Sequence, residues 1–391
     1  MRRPRFGRAL VAACAIAVTA LGLPQSALAA QRASAPSDAM SDAPSGAVPG
    51  ATAVTLAVTQ AVTWASAPVS TRASVPVSVP GAAPASGAAG TSLADYPGPG
   101  RVTGDVLVHD PSMVKKPDGT YLLVHTADGI GIKTSADRTA FRNAGVVWPN
   151  GAPWTTAYTG GSRNLWAPDL SYRNGRYHLY YSASTFGSSR SAIFLATSTT
   201  GASGSWTDRG LVVETTADSG YNAIDPNLVV DGQGRWWLSF GSFWSGIKMI
   251  RLDPATGKRS SSDTSVRGLA QRTTASGAVE APFVHRRGGH YYLFVSFDLC
   301  CRGAQSTYRT MVGRSTSVTG PFVDRNGTRM TSGGGTEILA GHGNVHGPGH
   351  PAVMPDADGD LLVYHYYADD GSARLGVNLL GWDSAGWPYV H

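Results

Sequence analysis

The sequence predicts an all-β fold, a five-bladed β-propeller with four-stranded antiparallel blades, because several patterns recur together. A small or polar residue, a proline and an alternating apolar run occur in this order five times, in 110–114, 167–170, 225–229, 281–284 and 350–354. The prolines lie 57, 58, 56 and 69 residues apart, and a glycine-containing turn and a second apolar run follow each of them. A fixed period with about four strands per unit is typical of a propeller. A β-sandwich is the alternative, but it would not need five matching prolines.

The runs after each proline have the composition of strands. The second runs, rich in aromatic and branched residues, are 121–124, 177–181, 236–240, 291–295 and 361–364, and third runs occur at 193–197 and 247–251. Turn pairs such as Asp118-Gly119 and Asn174-Gly175 favour hairpins between these runs. We therefore assign residues 101–391 to the propeller.

The first hundred residues differ from the propeller in composition. Residues 1–30 have the pattern of a signal peptide, with four early arginines, an apolar stretch from Ala9 to Leu23 and small residues ahead of Ala30. This stretch is shorter than the ~20 residues of a membrane-spanning helix, so we expect a secreted, extracellular protein without membrane contact after signal removal. Residues 31–100 are mostly Ala, Ser, Pro, Val and Gly. They have little apolar bulk to offset the entropy of ordering, and we predict a disordered, low-complexity linker.

The distribution of charge argues against a nucleic-acid partner. The formal net charge is +6, and the four arginines of the predicted signal peptide contribute most of it. The nearly neutral remainder offers no basic surface for a polyanion. We also expect the protein to be a monomer.

Cys300 and Cys301 are the cysteines that remain after signal removal, and they are neighbours. Their Cα atoms lie ~3.8 Å apart across a trans peptide, below the usual span of a disulfide. A bond between them would be strained, so a disulfide and a pair of free thiols both stay open.

The repeated prolines also locate a site. Proline cannot donate to a strand ladder, so it marks the first residue of a strand or an edge. The first strand of a blade lines the central channel, and the residues before the prolines should therefore ring one mouth of it. These residues are Asp110, Ala167, Asp225, Ala281 and His350, and Glu280 stands one position further back. Three carboxylates from different blades should converge there.

Convergent carboxylates repel one another, which costs stability. Such a cluster therefore indicates a chemical function. Two carboxyl groups ~6.5–9.5 Å apart suit glycoside hydrolysis with inversion, because a water molecule fits between the base and the sugar. A third carboxylate would raise the pKa of the acid and keep it protonated near neutral pH. A single Asp-Pro pair is an ordinary turn, but the alignment of Asp110 and Asp225 with Glu280 in the repeat favours a catalytic set.

Segments around these residues resemble glycoside hydrolase family 43, namely VHDPS (108–112), WAPD (166–169), IDP (224–226) and VEAP (279–282). Segments 239–247, 296–303 and 347–350 are similar to the endo-1,5-α-L-arabinanases of that family. The resemblance covers about residues 103–388. It implies inverting, endo-acting hydrolysis of arabinan or arabino-oligosaccharides, with Asp110 as general base, Glu280 as general acid and Asp225 as the carboxylate that tunes and orients the acid.

The same resemblance implies a cation in the central cavity, a calcium or sodium ion held by His350 and water. Histidines 342, 346 and 350 have the spacing of a helical zinc site, but the glycines among them rule out a stable helix. Hard cations prefer oxygen ligands, so a single histidine would leave water as the main ligand. We expect no organic cofactor.

Sugar rings bind to flat apolar faces beside hydrogen-bonding groups. Residues beside the matched motifs for which we expect substrate contact are Trp166, Asp169, Asn222, Ala223, Ile224, Ser242, Phe243 and Trp244. An exo-acting arabinofuranosidase or xylosidase on the same scaffold remains an alternative, and the shape of the groove would distinguish it. A non-catalytic sugar-binding propeller would not need acid, base and tuning carboxylate together. A protein-interaction propeller predicts no ring of carboxylates.

Overall fold

Five antiparallel sheets follow one another along the chain, as the repeat predicts. The computed structural model describes residues 96–391, so the predicted signal peptide (1–30) and residues 31–95 of the predicted linker lie outside the described residues. Each sheet contains four strands in hairpin succession, and the first three sheets carry short additional strands. The predicted five-bladed propeller with four-stranded blades is confirmed.

The strands of the described chain are short and numerous. In chain order they are β1 Thr103–Gly104, β2 Ser112–Lys115, β3 Tyr121–His125, β4 Ala127–Asp128, β5 Gly131–Ser135, β6 Ala140–Val146, β7 Asn164–Arg173, β8 Arg176–Ala183, β9 Ser191–Ser198, β10 Thr207–Thr215, β11 Asn227–Val230, β12 Trp236–Phe240, β13 Ile247–Asp253, β14 Lys258–Arg259, β15 Val266–Ala270, β16 Val279–Arg287, β17 His290–Phe297, β18 Arg309–Ser315, β19 Thr336–Leu339, β20 His346–Asp356, β21 Gly359–Tyr367, β22 Ala373–Trp382 and β23 Pro388–Val390. The described loops also contain one short α-helix, α1 (Thr156–Thr159), and the 3-10 turns Pro153–Thr155, Ala217–Ser219, Ala275–Gly277, Gly303–Gln305 and Met330–Ser332.

The four main strands of each blade follow one another along the chain from the axis outwards. From the axis outwards, blade 4 has the order β16-β17-β18-β19 and blade 5 the order β20-β21-β22-β23. Read in the opposite direction, from the outer edge inwards, blade 1 has the order β1-β6-β5-β3-β2 and blade 2 the order β10-β9-β8-β7-β4. In blade 3, β11, β12 and β13 are neighbours, and both β14 and β15 pair with β13. The additional strand β1 pairs in parallel with β6, whereas the hairpins of every blade are antiparallel.

The first long strand of each blade lies at the centre of the ring. Strands β2, β7, β11, β16 and β20 contact one another in this order, and β20 also contacts β2. Buried apolar side chains form five clusters, one at each junction between neighbouring blades. The hydrophobic core is therefore divided among the junctions, and the axis is left to polar residues. None of the helices in residues 96–391 is long and apolar enough to cross a bilayer.

The residue before each repeated proline has a left-handed backbone. The φ angles are 51° for Asp110, 47° for Ala167, 55° for Asp225, 54° for Ala281 and 52° for His350. Such values are uncommon for residues other than glycine. The ladders of β7, β16 and β20 shift register at this point, as expected for a β-bulge that re-aims side chains. The same local distortion therefore recurs in all five blades.

A ring of hydrogen bonds joins these five residues to the preceding blades. Each backbone N–H donates to a side chain of the blade before it: Ala167 to Thr126 Oγ1 (2.8 Å), Asp225 to Ser182 Oγ (3.0 Å), Ala281 to Asp225 Oδ2 (3.0 Å), His350 to Ser296 Oγ (2.8 Å) and Asp110 to His365 Nδ1 (3.1 Å). None of these five N–H groups takes part in the strand ladder of its own blade, and the side-chain acceptor satisfies each of them. The ring closes because blade 5 supplies the acceptor for blade 1.

The start of the described chain also closes the propeller. Val108 N donates to Ala373 O (3.1 Å), and Leu375 N donates to Val106 O (2.9 Å), which adds the segment before blade 1 to β22 of blade 5. Gly100 N continues this contact by donating to Val377 O (3.0 Å). Residues 96–100, which the composition assigns to the linker, are thus joined to the propeller by hydrogen bonds.

Candidate active site

A cleft of about 810 Å³ lies on the axis of the propeller, because residues from all five blades line it. The three predicted catalytic carboxylates, Asp110, Asp225 and Glu280, all line this cleft, as does His350. Each of the three acids is 7–8% exposed. The convergence expected from the proline repeat is therefore present in the structure.

Asp110 is surrounded by hydrogen-bond donors. Thr126 Oγ1 donates to Asp110 Oδ2 (2.6 Å), His109 Nδ1 lies 2.9 Å from the same oxygen, and His350 Nδ1 lies 3.1 Å from Oδ1. Burial alone would raise the pKa of Asp110, but the two histidines outweigh burial and hold the pKa well below its usual range. Asp110 is thus an ionised carboxylate, as a general base must be before it accepts a proton.

Glu280 has the opposite electrostatic environment. Burial raises the pKa of Glu280 well above its usual value, and the negative charges of Asp225 and Asp110 raise it further. The Tyr308 hydroxyl donates to Glu280 Oε1, which fixes the carboxyl group on one side. Glu280 is thus the protonated member of the set, as a general acid must be.

Asp225 lies between these two extremes. Its pKa is raised to about 6, because burial and the negative charge of Asp110 together outweigh the opposing positive charge of His350. Asp225 Oδ2 accepts the N–H of Ala281, the residue that follows Glu280. Asp225 therefore acts on the acid both through its charge and through the backbone that carries the acid.

The loop after β12 presents aromatic side chains to the cleft. Phe243 and Trp244 have left-handed φ angles of 40° and 32°, a costly conformation for bulky residues. Asn222 Nδ2 donates to Ser242 Oγ (2.8 Å) and Asn222 Oδ1 accepts from Ser242 N (2.7 Å), so the two polar residues hold the loop in place. This arrangement aims Phe243 and Trp244 at the cleft.

The structure divides the predicted substrate contacts into two groups. Those that line the cleft are Trp166, Asn222, Ile224, Ser242, Phe243 and Trp244. Ala223 instead packs in the core cluster between blades 2 and 3. Asp169 accepts from Leu228 N (2.8 Å) and Asn227 Nδ2 (3.1 Å), so it links blade 2 to blade 3. The structure thus places both residues behind the cleft wall, and their predicted substrate contact needs correction.

Other cleft residues were missed by the sequence analysis. Phe186 is 85% exposed and lines the cleft from a loop of blade 2. Its Gly- and Ser-rich surroundings, 184–188, resemble the loop of Phe243 and could have indicated it. Tyr308 belongs to no repeated motif, and nothing in the sequence singles it out. Cys300 and Cys301, left open above, are joined by a disulfide and line the same cleft.

Several charged and polar groups near the axis would affect the binding of a cation there. The pKa of His350 is raised: burial would lower it, but Asp110, Asp225 and Asp169 outweigh burial. The same carboxylates would attract a metal ion beside this imidazole. His365 Nδ1 accepts from Asp110 N, so His365 Nε2 carries the proton, and this buried atom has no partner among the described residues. An N–H group is no ligand for a cation, but the carboxylate oxygens of Asp110 and Asp225 in the cleft are ligands of the kind that a hard, water-coordinated cation prefers.

Comparison with known proteins places the chain among carbohydrate-active enzymes. The sequence model described as glycosyl hydrolases family 43 matches residues 101–388. The extracellular endo-α-(1→5)-L-arabinanase 1 of Bacillus subtilis is 43% identical over 288 residues, which cover 72% of this chain and 87% of that protein.

Solved structures of two arabinanases are also similar to this chain. A family 43 endo-arabinanase from Bacillus licheniformis is 45% identical, with a TM-score of 0.69 over 74% of this chain and 99% of that chain. An exo-1,5-α-L-arabinanase from a bovine ruminal metagenomic library is 39% identical, with a TM-score of 0.69 over 74% of this chain and 100% of that chain.

Proposed function

Because this chain belongs to glycosyl hydrolase family 43 and is a glycoside hydrolase, we propose that it is a secreted endo-acting enzyme that cleaves α-1,5-L-arabinofuranosidic bonds in arabinan with inversion. The observation that carries the proposal is the pair of opposed protonation states in one cleft. The pKa of Asp110 is held well below its usual range, and the pKa of Glu280 is raised well above its own. There is therefore a pH range in which Asp110 is ionised as a base while Glu280 is still protonated as an acid.

The proposed reaction is a single displacement. Asp110 removes a proton from a water molecule as that water attacks the anomeric carbon. Glu280 donates its proton to the glycosidic oxygen as the bond between that oxygen and the anomeric carbon breaks. The new bond forms on the face opposite the one that breaks, so the anomeric configuration inverts and no covalent intermediate occurs.

Endo action is supported by the aromatic residues along the cleft. Phe186 of blade 2 and Trp244 of blade 3 are 85% and 43% exposed, and both line the cleft. Exposed aromatic faces suit sugar rings on either side of the cleaved bond. The solved relative described as an exo-arabinanase has the same fold, so the fold alone does not decide between the two modes.

The test of the proposed function is cleavage of linear, debranched arabinan, followed by product sizing and by NMR of the first anomer formed. We expect a mixture of internal cleavage products and the inverted anomer. Release of arabinose or one short product alone would favour the exo-acting alternative. Binding without cleavage would favour a non-catalytic sugar-binding propeller. Initial formation of the retained anomer would remove Asp110 from the role of base.

Replacing Asp225 with Asn should lower the upper limit of the pH range for activity. The Asn side-chain oxygen still accepts from Ala281 N, so the change removes mainly the negative charge. Without this like charge, Glu280 loses its proton at a lower pH, and the basic limb of the kcat/KM profile moves downwards. Asp324→Asn, which alters a buried aspartate that accepts from Thr328 N and does not line the cleft, is the matched control. A basic limb that stays in place would contradict the tuning role.

We also propose a calcium or sodium ion beside His350, held mainly by water. When bound, the ion would supply a fixed positive charge that offsets the repulsion among the carboxylates. His350 would hold the ion, and Asp110, Asp225 and Asp169 would stabilise it through their charge.

Removing the cation should lower thermal stability as well as activity. We expect a chelator to lower the Tm and added calcium to restore it, and His350→Gln should lower the Tm and abolish the response to chelator. His346→Gln alters a half-buried histidine that contacts Asp369, and it should keep the wild-type response. An unchanged Tm and activity after chelation would show that no divalent ion is needed, and a sodium titration would then decide between the two ions.

Secretion is supported by the sequence of residues 1–30 and by the printed description of the Bacillus subtilis relative as extracellular. N-terminal sequencing of protein recovered from culture medium would test it. A mature chain that begins near residue 31 is the expected result.

A further inference from the structure

The Cys300–Cys301 disulfide lies in the cleft wall beside the proposed base. Both cysteines line the cleft together with His109 and Asp110. Cys301 Sγ lies 3.9 Å from His109 Nε2. The two sulfurs are bonded to each other, so they are not thiolate ligands for a metal. The position of the disulfide in the cleft therefore needs an explanation other than metal binding.

A chain of hydrogen bonds leads from this disulfide to the base. Cys301 N donates to the Tyr367 hydroxyl oxygen (2.9 Å), and the Tyr367 hydroxyl contacts His109 Nε2 (2.8 Å). His109 Nδ1 in turn lies 2.9 Å from Asp110 Oδ2. Four residues are thus connected in series, from the backbone of the disulfide turn to a catalytic oxygen.

The directions of these hydrogen bonds agree with one another. Asp110 is an acceptor, so His109 Nδ1 carries a proton, and Nε2 is the ring nitrogen that remains to accept. The Tyr367 hydroxyl can then donate to Nε2 while its oxygen accepts from Cys301 N–H. Each group along the chain donates towards Asp110, which selects one tautomer of His109. The His365 ring stacks on His109 with centroids 4.1 Å apart, and holds the imidazole from its face.

We propose that the Cys300–Cys301 disulfide and Tyr367 are positioning residues for the base: they hold His109 in the tautomer and orientation that keep Asp110 aimed at the attacking water. This inference rests on the proposed function. The disulfide closes a small ring around the 300–301 peptide and holds Cys301 in a left-handed conformation, with φ 67°. That conformation directs the Cys301 N–H at Tyr367, and without the ring the N–H is free to turn away.

Reduction is the tool that opens this ring. A dithiol reductant supplies two electrons and two protons, leaves Cys300 and Cys301 as thiols and becomes a cyclic disulfide itself. Cys301 is exposed to solvent in the cleft, so the reductant can reach it. The disulfide is thus removed without replacement of any side chain.

The first measurement is the kinetics of linear arabinan cleavage by oxidised and reduced protein. We expect reduction to lower kcat about tenfold with KM unchanged, because a lost positioning contact of ordinary hydrogen-bond strength affects the transition state alone. Tyr367→Phe removes only the hydroxyl and should cause a similar loss. Reduction of this variant should cause no further loss, since the chain is already broken. Tyr366→Phe, the neighbouring half-buried tyrosine, is the matched control.

Two kinetic results would overturn the proposal. If reduction raises KM and leaves kcat unchanged, the disulfide serves only as a wall for substrate. If reduction lowers kcat of Tyr367→Phe as much as that of the wild type, the disulfide does not act through Tyr367. The Cys300→Ser, Cys301→Ser double variant should be insensitive to reductant, which excludes an effect of the reagent elsewhere.

A spectroscopic measurement keeps the inference separate from the proposed function. Nitrogen-15 NMR of the imidazoles should show His109 protonated at Nδ1 in the oxidised wild type and a mixture of tautomers after reduction or in Tyr367→Phe. His290→Gln and His346→Gln variants help to assign the spectrum by removing resonances away from the cleft. A wild type without activity on arabinan would defeat the proposed function, whereas an unchanged His109 tautomer after reduction would defeat the positioning inference.

Discussion

Asp110→Asn should remove most of kcat on linear arabinan, by a factor of about 10²–10⁴, the usual range for loss of a general base. Asn has nearly the same shape and its side-chain oxygen can still accept from Thr126 Oγ1. It cannot take a proton from water, so the loss reports chemistry rather than packing. Initial rates on debranched arabinan give the measurement, and thermal unfolding shows whether the variant is folded.

An activated substrate should not rescue this variant. A good leaving group makes departure easier, but the attacking water still needs a base. We therefore expect Asp110→Asn to remain slow on an aryl arabino-oligosaccharide that the wild type accepts. Asp118→Asn, on an exposed turn with Lys116 and Thr120 as partners, should behave as the wild type. Full recovery of Asp110→Asn on the activated substrate would assign the base to another residue.

Glu280→Gln should lower kcat on arabinan by about 10²–10⁴-fold as well, because the leaving oxygen no longer receives a proton. The Gln oxygen can still accept from the Tyr308 hydroxyl, so the local contact survives. The difference from Asp110→Asn lies in the activated substrate. An aryl leaving group needs no proton, and Glu280→Gln should then recover towards the wild-type rate.

Comparison of the two variants separates acid from base. Glu214→Gln, whose side chain accepts from Tyr158 at an exposed site, should keep the wild-type rate on both substrates. If Glu280→Gln stays slow on the activated substrate, the residue does not act as the proton donor. If both variants recover equally, the two roles cannot be assigned as proposed.

The repeat made the fold and the three acids predictable from the sequence. Proline before each inner strand marks one structural position five times, and Asp110, Asp225 and Glu280 stand at or beside that position in their blades. Asp169 was misplaced because it also stands beside a matched motif, two residues after the left-handed position. The sequence does not show that Asn227 and Leu228 of the next blade occupy its carboxylate.

Contacts between distant parts of the chain could not be predicted. Tyr308 reaches the site from the residue before β18, and Tyr367 from the last residue of β21. Their roles depend on a hydroxyl that contacts a partner far along the chain. The Cα spacing of neighbouring cysteines disfavours a disulfide, so the sequence does not decide between a disulfide and two free thiols. The bond goes with a left-handed conformation of Cys301, with φ 67°, which no spacing rule reveals.

The ring of hydrogen bonds has a consequence for biosynthesis. Asp110 lies in the first blade to leave the ribosome, but its backbone N–H donates to His365, in the last blade. The strand segment around Val108 likewise finds its partner only when β22 has been made. A nascent chain, or one truncated after blade 4, therefore carries all three acids but still lacks His365, which accepts the backbone N–H of Asp110. The finished site appears only when the two ends of the propeller meet, so hydrolytic activity would report that the whole chain has been translated and closed.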